Sequence, residues 1–127
     1  MIFGIGCDIV SHATIEKMKW HSDAKIRARL FSLDELKLLS TDLKEQISFL
    51  AGRFAVKEAV LKCLGTGMID GISLKEIEVL RDDRQRPVLN LSGEVQKISL
   101  AKGITHWYLT LSHTDSNSIA FVIAERL

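Results

Sequence analysis

The fold is decided by the run Phe49-Leu-Ala-Gly-Arg-Phe-Ala-Val-Lys-Glu-Ala-Val-Leu-Lys-Cys-Leu-Gly-Thr-Gly67. In and just before this run, apolar residues recur at helical spacing: Ile47, Leu50, Ala51, Phe54, Leu61 and Leu64. The pattern predicts a long helix that begins near Thr41-Asp42 and packs one side on the core. Gly65 is expected to end it, since glycine suits the left-handed position after a helix. Four charged residues stand among the apolar ones: Arg53, Lys57, Glu58 and Lys62.

The remaining segments predict an α+β domain, with a mainly antiparallel sheet packed against the long helix and several short helices. Strands are expected over residues 2–8, 74–79 and 87–91, and in a final hairpin of residues 107–112 and 119–125. Short helices are expected from Ser11 to about Trp20, from Ser32 with Glu35 as a capping box, and from Ser92 to about Lys102. Since no linker, repeat or low-complexity segment interrupts this order, residues 1–127 are interpreted as one domain.

Composition narrows the class of protein. The 127 residues are 46% hydrophobic, and 17 Lys and Arg against 16 Asp and Glu leave a net charge of +1. That balance argues against nucleic-acid binding through a broadly basic surface. No apolar run approaches the roughly 20 residues that a membrane span requires. Because no signal-peptide pattern is present, we expect a cytoplasmic protein in which Cys7 and Cys63 are buried free thiols.

Three polar residues form the candidate chemical site. Glu58 and Lys62 are four residues apart, so they project from one side of the long helix. Asp8 lies at the end of an apolar strand, and the fold is expected to bring it beside Glu58. Neighbouring carboxylates repel unless a proton or a cation lies between them, and Mg²⁺ takes one or two carboxylates plus water and substrate phosphates. With Arg53 and Lys57 expected to add positive charge nearby, the set indicates magnesium-dependent phosphate chemistry.

Simpler interpretations remain open at this point. Glu58 and Lys62 could form a surface ion pair worth ~0.3–0.5 kcal/mol, and Asp8 could cap the segment after its strand. The run Gly65-Thr66-Gly67 follows a helix C-terminus, where the dipole disfavours an anion, so a C-cap is a better interpretation than a phosphate loop. His113 could donate to a phosphate or simply be solvated. The histidines show no zinc spacing, and no Ser-His-Asp arrangement is readable.

Several segments together resemble the holo-(acyl-carrier-protein) synthases, a family of 4′-phosphopantetheinyl transferases. The similarity covers essentially the whole chain, in this order: Gly4-Ile-Gly-Cys-Asp-Ile-Val10, Phe31-Ser32 with Glu35, Arg53-Phe-Ala-Val-Lys-Glu-Ala59, Lys62-Cys-Leu-Gly-Thr-Gly67, Ile77-Glu-Val79, Arg86-Pro87 and Leu111-Ser-His-Thr114. The chain departs from the family pattern at Ser11-His12 with Thr14, at Tyr108-Leu-Thr110 and at Asn117-Ser118. The first departure falls in the expected carrier-protein surface.

The resemblance implies an activity and a set of site residues. The enzyme would move 4′-phosphopantetheine from coenzyme A to a serine of apo acyl carrier protein, releasing adenosine 3′,5′-bisphosphate and supporting fatty acid biosynthesis. Asp8 and Glu58 match the magnesium ligands and Lys62 the catalytic lysine, while the general base stays open among Asp8, Glu58 and a metal-ordered water. Coenzyme A contacts are implied for a longer set: Lys44, Arg53, Lys62, Gly65, Arg86, Pro87, Ser112, His113 and Thr114.

The resemblance also implies two kinds of partner. Compact members of the family form homotrimers, with coenzyme A bound between neighbouring subunits. The acyl carrier protein is acidic, so positive charge is expected beside the metal site, in the basic segment: Lys17, Lys19, Lys25, Arg27 and Arg29. The alternative for that segment is an ordinary solvated helix face.

Two other function classes compete with the transferase. A metal-dependent nuclease also uses Asp, Glu and Lys. Against it, Lys62 lies four residues after Glu58 on a helix, and the chain is not broadly basic. A non-catalytic nucleotide-binding module or trimeric scaffold is the second competitor, although all three polar residues of the chemical site are present.

Overall fold

The computed structural model describes residues 1–69 and 71–127 and confirms the predicted α+β class. The elements follow in this order: β1 (Ile2–Ser11), α1 (His12–Lys17), α2 (Ala24–Leu30), α3 (Leu33–Leu36), α4 (Leu43–Leu64), a 3₁₀ turn (Leu74–Glu76), β2 (Ile77–Arg81), β3 (Pro87–Leu91), α5 (Gly93–Ala101), β4 (Ile104–His113) and β5 (Asn117–Arg126). The α1 helix ends three residues before Trp20, and Leu74 lies in the 3₁₀ turn instead of the predicted strand. Among the described residues, no helix combines the length and the apolar character needed to cross a membrane.

The strands form two antiparallel sheets. The larger sheet has three strands in the order β1-β5-β4, and β2 and β3 form a separate two-stranded sheet. The predicted final hairpin is confirmed with longer strands, His113 pairing with Ser118 next to its turn. Consequently β1 and β4 lie on opposite edges of the larger sheet.

The α4 helix crosses one face of this sheet at very short distance. A Cβ atom added to Gly6 would overlap the backbone carbonyl of Ala59, and one added to Gly4 would overlap that of Cys63. Only glycine therefore allows the backbone of α4 to approach β1 this closely. Asp8 follows on the same face of β1, because strand residues alternate sides. The close approach thus carries Asp8 to the flank of α4.

The opposite face of the larger sheet is apolar and exposed. Its large side chains are Ile5 (55% exposed), Ile9 (63%), Tyr108 (50%), Ile119 (41%) and Phe121 (40%). Cys7 belongs to this face and is exposed, so the prediction of two buried thiols is correct for Cys63 and wrong for Cys7. The sequence of β1 is apolar on both faces, which hides the alternation that exposes Cys7.

A fully buried ion pair joins α4 to α3 and to the β2–β3 sheet. Lys57 Nζ donates to Glu35 Oε1 at 2.7 Å and to the carbonyls of Leu74 and Ile77 at 2.9 and 2.5 Å. Glu35 Oε2 accepts from the Val79 amide at 3.1 Å. Burial lowers the pKa of Lys57, although the charge of Glu35 opposes that shift. The expectation that Lys57 adds positive charge beside Glu58 is therefore wrong, because Lys57 faces the core.

Most of the helix caps that the sequence predicts are present in the structure. Ser32 and Glu35 form the predicted capping box, and the Asp42 side chain accepts from the Glu45 amide at the start of α4. Ser92 occupies the N-cap position of α5 without a capping bond from its side chain. Glu76 supplies a capping bond instead, because its Oε2 accepts from the Val95 amide at 3.2 Å. Glu76 lies on another element, so local sequence could not reveal it.

Removing one member of the buried pair should destabilise the protein strongly. Lys57→Met is expected to lower the free energy of unfolding by about 3–5 kcal/mol, because Glu35 stays buried without its cation. The double variant Lys57→Met with Glu35→Gln should recover part of that loss. Lys37→Met, which breaks the exposed Lys37–Asp34 pair, is the matched control and should change stability by less than about 1 kcal/mol. Urea unfolding at one fixed protein concentration measures all three, and a Lys57→Met protein as stable as the parent would contradict the expectation.

Candidate active site

Asp8, Glu58 and Lys62 come together beside the β1 edge of the larger sheet. Lys62 lies one helical turn after Glu58 on α4 and reaches back to β1. Its Nζ lies 3.0 Å from Asp8 Oδ1 and 2.8 Å from the carbonyl oxygen of Cys7. The Asp8 side chain is 19% exposed and that of Lys62 is 54% exposed. Glu58 is also partly exposed, so a ligand can reach both carboxylates, and Lys62 has room to move toward it.

The two carboxylates repel each other. The pKa of Glu58 is raised, first by partial burial and then by the charge of Asp8, while Lys62 opposes the shift. A divalent cation between the carboxylates would remove this repulsion. In the part of the chain that the structure describes, no cluster of three or more His, Cys, Asp or Glu side chains could hold a metal ion. The pair therefore fits Mg²⁺, which is often held by two carboxylates with water and substrate oxygens, better than a structural zinc ion.

A cleft of about 560 Å³ opens on the other edge of the larger sheet. Its lining residues come from the segment before α4, the first half of α4, the β2–β3 loop and the end of β4: Leu38, Ser40, Glu45, Ser48, Phe49, Arg53, Arg81, Gln85, Pro87, Thr110, Leu111 and His113. Three of the predicted coenzyme A contacts, Arg53, Pro87 and His113, meet here. Sequence reasoning missed Arg81 and Gln85, because their part in the cleft depends on where the β2–β3 hairpin folds.

Arg53 makes this cleft attractive to an anion. It is 5% exposed, with its guanidinium carbon 4.0 Å from the centroid of the Phe49 ring. Burial, and to a smaller extent the nearby charge of Arg81, lower its pKa to about 10. Its Nε–H is buried with no hydrogen-bond partner among the described residues. A phosphate bound in the cleft would offset the repulsion between Arg53 and Arg81.

The other predicted contact residues are distributed around these two places. Lys44 and Thr114 line a smaller adjoining cavity of about 190 Å³, which also contacts His113. Arg86 is exposed and paired with Asp82 at 2.9 Å. Ser112 is exposed on β4, opposite Ile119. Gly65 ends α4 with a φ of 74°, which confirms its predicted capping role.

The carboxylate site and the cleft face away from each other within one chain. Arg53 and Lys62 are nine residues apart on α4, which places them about 180° apart around the helix axis. Asp8 is on β1 and His113 is on β4, with β5 between them, so roughly 10 Å of sheet separates the two strands. Among the described residues, the lining of the cleft includes none of Asp8, Glu58 and Lys62. Within one chain, the carboxylate site and the cleft therefore do not enclose the same ligand.

Four residues of the basic segment are exposed: Lys17, Lys19, Lys25 and Arg29. Arg27 is different, because its Nη1 donates to the carbonyls of Trp20 and His21 at 3.1 and 2.7 Å. Arg27 therefore stabilises the connection between α1 and α2 and is less free to meet a partner.

Comparison with known proteins places this arrangement in a family. The family model of the 4′-phosphopantetheinyl transferase superfamily matches residues 4–122. The chain belongs to the 4′-phosphopantetheinyl transferase superfamily. Its relatives within the superfamily include the holo-(acyl-carrier-protein) synthase of Blochmanniella pennsylvanica, which is 40% identical over 126 residues, 99% of this chain and 100% of the relative.

Solved structures of transferases agree with the fold. A holo-(acyl-carrier-protein) synthase from Neisseria meningitidis superposes with a TM-score of 0.87 at 30% identity, covering 99% of this chain and 100% of that one. One from Bacillus anthracis, in complex with CoA (3′,5′-ADP), superposes with a TM-score of 0.80 at 35% identity, covering 100% and 99%. These neighbours support the transferase interpretation over the nuclease alternative.

The repulsion between Asp8 and Glu58 has a measurable cost in metal-free protein. Glu58→Gln should raise the melting temperature in EDTA at pH 7.5, because it removes a half-buried charge beside Asp8. Because the pKa of Glu58 is raised in the folded protein, the folded protein binds more protons than the unfolded chain. The free energy of unfolding of the parent therefore falls as the pH rises from the unfolded pKa of Glu58 through its folded pKa. The gain should therefore shrink toward pH 4.

Magnesium provides the complementary measurement. It should stabilise the parent protein more than Glu58→Gln, and Glu16→Gln, at an exposed position of α1, serves as the matched control. Equal stabilisation of all three proteins by magnesium would contradict the two-carboxylate site.

Proposed function

We propose that this protein transfers the 4′-phosphopantetheine group of coenzyme A to a serine hydroxyl of apo acyl carrier protein, as a cytoplasmic step in fatty acid biosynthesis. The observation that carries the proposal is the contact of Lys62 with Asp8 beside Glu58, on a fold shared with holo-(acyl-carrier-protein) synthases. The cleft around Arg53 supports it, because it offers buried positive charge to the nucleotide end of coenzyme A.

The reaction exchanges one phosphorus–oxygen bond for another. The serine oxygen bonds to the β-phosphorus, which carries the pantetheine arm, and the bond from that phosphorus to the bridging oxygen breaks. Adenosine 3′,5′-bisphosphate leaves with the bond electrons, and the serine proton passes to Asp8, Glu58 or an ordered water. Lys62 is more than half exposed, so its ammonium can follow the charge that develops on the phosphate oxygens. Magnesium held by Asp8 and Glu58 would neutralise charge on the diphosphate.

Intact-mass spectrometry tests this activity directly. After incubation with the protein, coenzyme A and magnesium, an apo carrier protein should gain the mass of one phosphopantetheine. Lys62→Met should slow turnover on the order of 10²-fold, with a much smaller change in coenzyme A affinity, because the charge acts mainly in the transition state. Lys97→Met, at an exposed position of α5, is the matched control. Weakened binding with unchanged turnover would instead make Lys62 a ground-state anchor.

We further propose that the protein works as a homotrimer with its active sites between subunits. The exposed apolar face of the larger sheet is an unusual surface for a single chain in water, and such patches mark interfaces. The carboxylate site and the cleft lie at opposite edges of that sheet. A ring in which the β1 edge of each subunit meets the β4 edge of the next would join them into complete sites.

Mixed trimers provide a specific test of shared sites. Glu58→Gln and Arg53→Met should each be nearly inactive as pure proteins. After subunit exchange at equal amounts, about one quarter of the interfaces would combine intact Glu58 with intact Arg53, so a similar share of activity should return. Mixtures of the parent protein with either variant serve as controls for subunit exchange. Light scattering measures the oligomeric state. An active monomer, or no recovery after verified exchange, would contradict the proposal.

The basic segment is proposed as the docking surface for the acidic carrier protein. Lys25→Glu with Arg29→Glu should raise the KM for carrier protein and leave coenzyme A binding nearly unchanged, since both side chains are exposed. The difference from parent should shrink as the Debye length falls from about 10 Å at 0.1 M salt to ~3 Å at 1 M. Lys75→Glu with Lys97→Glu makes the same charge change outside the segment and is the control. A double variant that uses carrier protein as well as the parent at low salt would show that docking occurs elsewhere.

A further inference from the structure

Gln85, in the loop between β2 and β3, has an unusual backbone conformation. Its φ is 64°, in the left-handed region that favours glycine because a Cβ atom crowds the backbone there. Among the described residues, Lys19 is the other non-glycine residue with positive φ. A residue held in such a conformation next to a cleft suggests a role for its side chain that glycine could not fill.

The loop itself does not need the Gln85 side chain. Asp82 organises the turn: its Oδ1 accepts from the amides of Arg84 and Arg86 at 2.8 and 2.9 Å, and its Oδ2 accepts from Arg86 Nε at 2.9 Å. The Gln85 backbone amide donates to the carbonyl of Asp82 at 3.0 Å. Because every one of these bonds uses backbone or Asp82, glycine at position 85 would form the same turn with less crowding.

Gln85 is exposed and lines the cleft, together with Arg53, Arg81 and His113. Its amide has no hydrogen-bond partner within residues 1–69 and 71–127. The neighbouring basic groups suit phosphate oxygens, whereas a neutral amide offers one acceptor and two donors in a plane. That arrangement matches the edge of an adenine base, which presents an amino donor beside a ring-nitrogen acceptor.

We propose that Gln85 reads the adenine base of the bound nucleotide and sets the base specificity of the cleft. The proposal rests on the function above, in which the cleft takes the nucleotide end of coenzyme A. The Gln85 carbonyl accepts from the 6-amino group of adenine, and its amide N–H donates to the adjacent ring nitrogen. The basic side chains hold the phosphates and do not distinguish one purine from another.

Calorimetric titration with two nucleotides tests this assignment on the assembled protein. The probes are adenosine 3′,5′-bisphosphate and its analogue without the 6-amino group, which keeps both phosphates and the ring nitrogens. The parent protein should bind the adenine nucleotide about 5- to 100-fold more tightly, since a site built to pair with an amino group rejects a ligand that lacks it. Gln85→Gly should bind both probes alike, at about the affinity of the parent for the analogue.

Stability gives a second readout on the same variants. Gln85→Gly should melt at a higher temperature than the parent without ligand, because glycine relieves the left-handed backbone. Lys19→Gly is the matched control: it relieves the other left-handed position and should keep the full preference for adenine. Gln85→Met keeps the length of the side chain, loses the acceptor for the 6-amino group, and should lose the preference as well.

The outcomes separate this proposal from the function on which it rests. If the parent binds both probes and Gln85→Gly keeps the preference for adenine, or if the parent shows none, the assignment to Gln85 is overturned while the nucleotide cleft stands. If the parent binds neither probe, the cleft does not take the nucleotide and both proposals fall. Loss of preference in Gln85→Gly and Gln85→Met, with preference kept in Lys19→Gly, supports the assignment.

Discussion

The contact of α4 with β1 is the constraint on which the rest of the structure depends. Two glycines on one face of β1 let the helix backbone lie directly on the strand, at Ala59 and Cys63. A side chain at either glycine would push the helix outward by the thickness of a methyl group or more. Asp8 and Glu58 would then separate, and Lys62 would no longer reach the strand. The geometry of the chemical site is therefore set by the absence of side chains two and four residues before Asp8.

The electrostatics of the protein follow from where this packing places charge. Two carboxylates near the β1 edge repel each other, and two arginines near the β4 edge do the same. Lys62 offsets the first repulsion and Glu35 the second only in part, whereas Lys57 and Glu35 form a fully buried pair in the core. The charge that remains would suit a dication at the β1 edge and a phosphorylated nucleotide at the β4 edge, as the proposed function requires.

Local signals predicted much of the fold, and long-range partners account for what they missed. The helical period, the cap at Asp42, the box of Ser32 with Glu35 and the stop at Gly65 are all encoded within a few residues, so α4 and its ends could be predicted. The direction of Lys57 could not, because its partner Glu35 lies 22 positions away and the helix carries charge on several sides. The exposure of Cys7 and the capping of α5 by Glu76 likewise depend on neighbours distant in sequence. For the candidate site, the pattern named Asp8, Glu58 and Lys62, while Arg81 and Gln85 acquire a place in the cleft only once the β2–β3 hairpin folds against α4.

The adjacency of Lys57 and Glu58 gives the buried ion pair a further consequence. These neighbours point about 100° apart on the helix, one into the core and one toward the candidate site. If α4 rotated by one residue, Glu58 would turn toward the position that Lys57 leaves and would meet the buried carboxylate of Glu35, while the ammonium would leave its three acceptors. Two unneutralised carboxylates in an apolar interior are far less stable than the observed pair. The Glu35–Lys57 contact thus acts as a rotational lock: it penalises misfolded arrangements in which the helix is correctly formed and correctly placed but turned so that its reactive side is hidden.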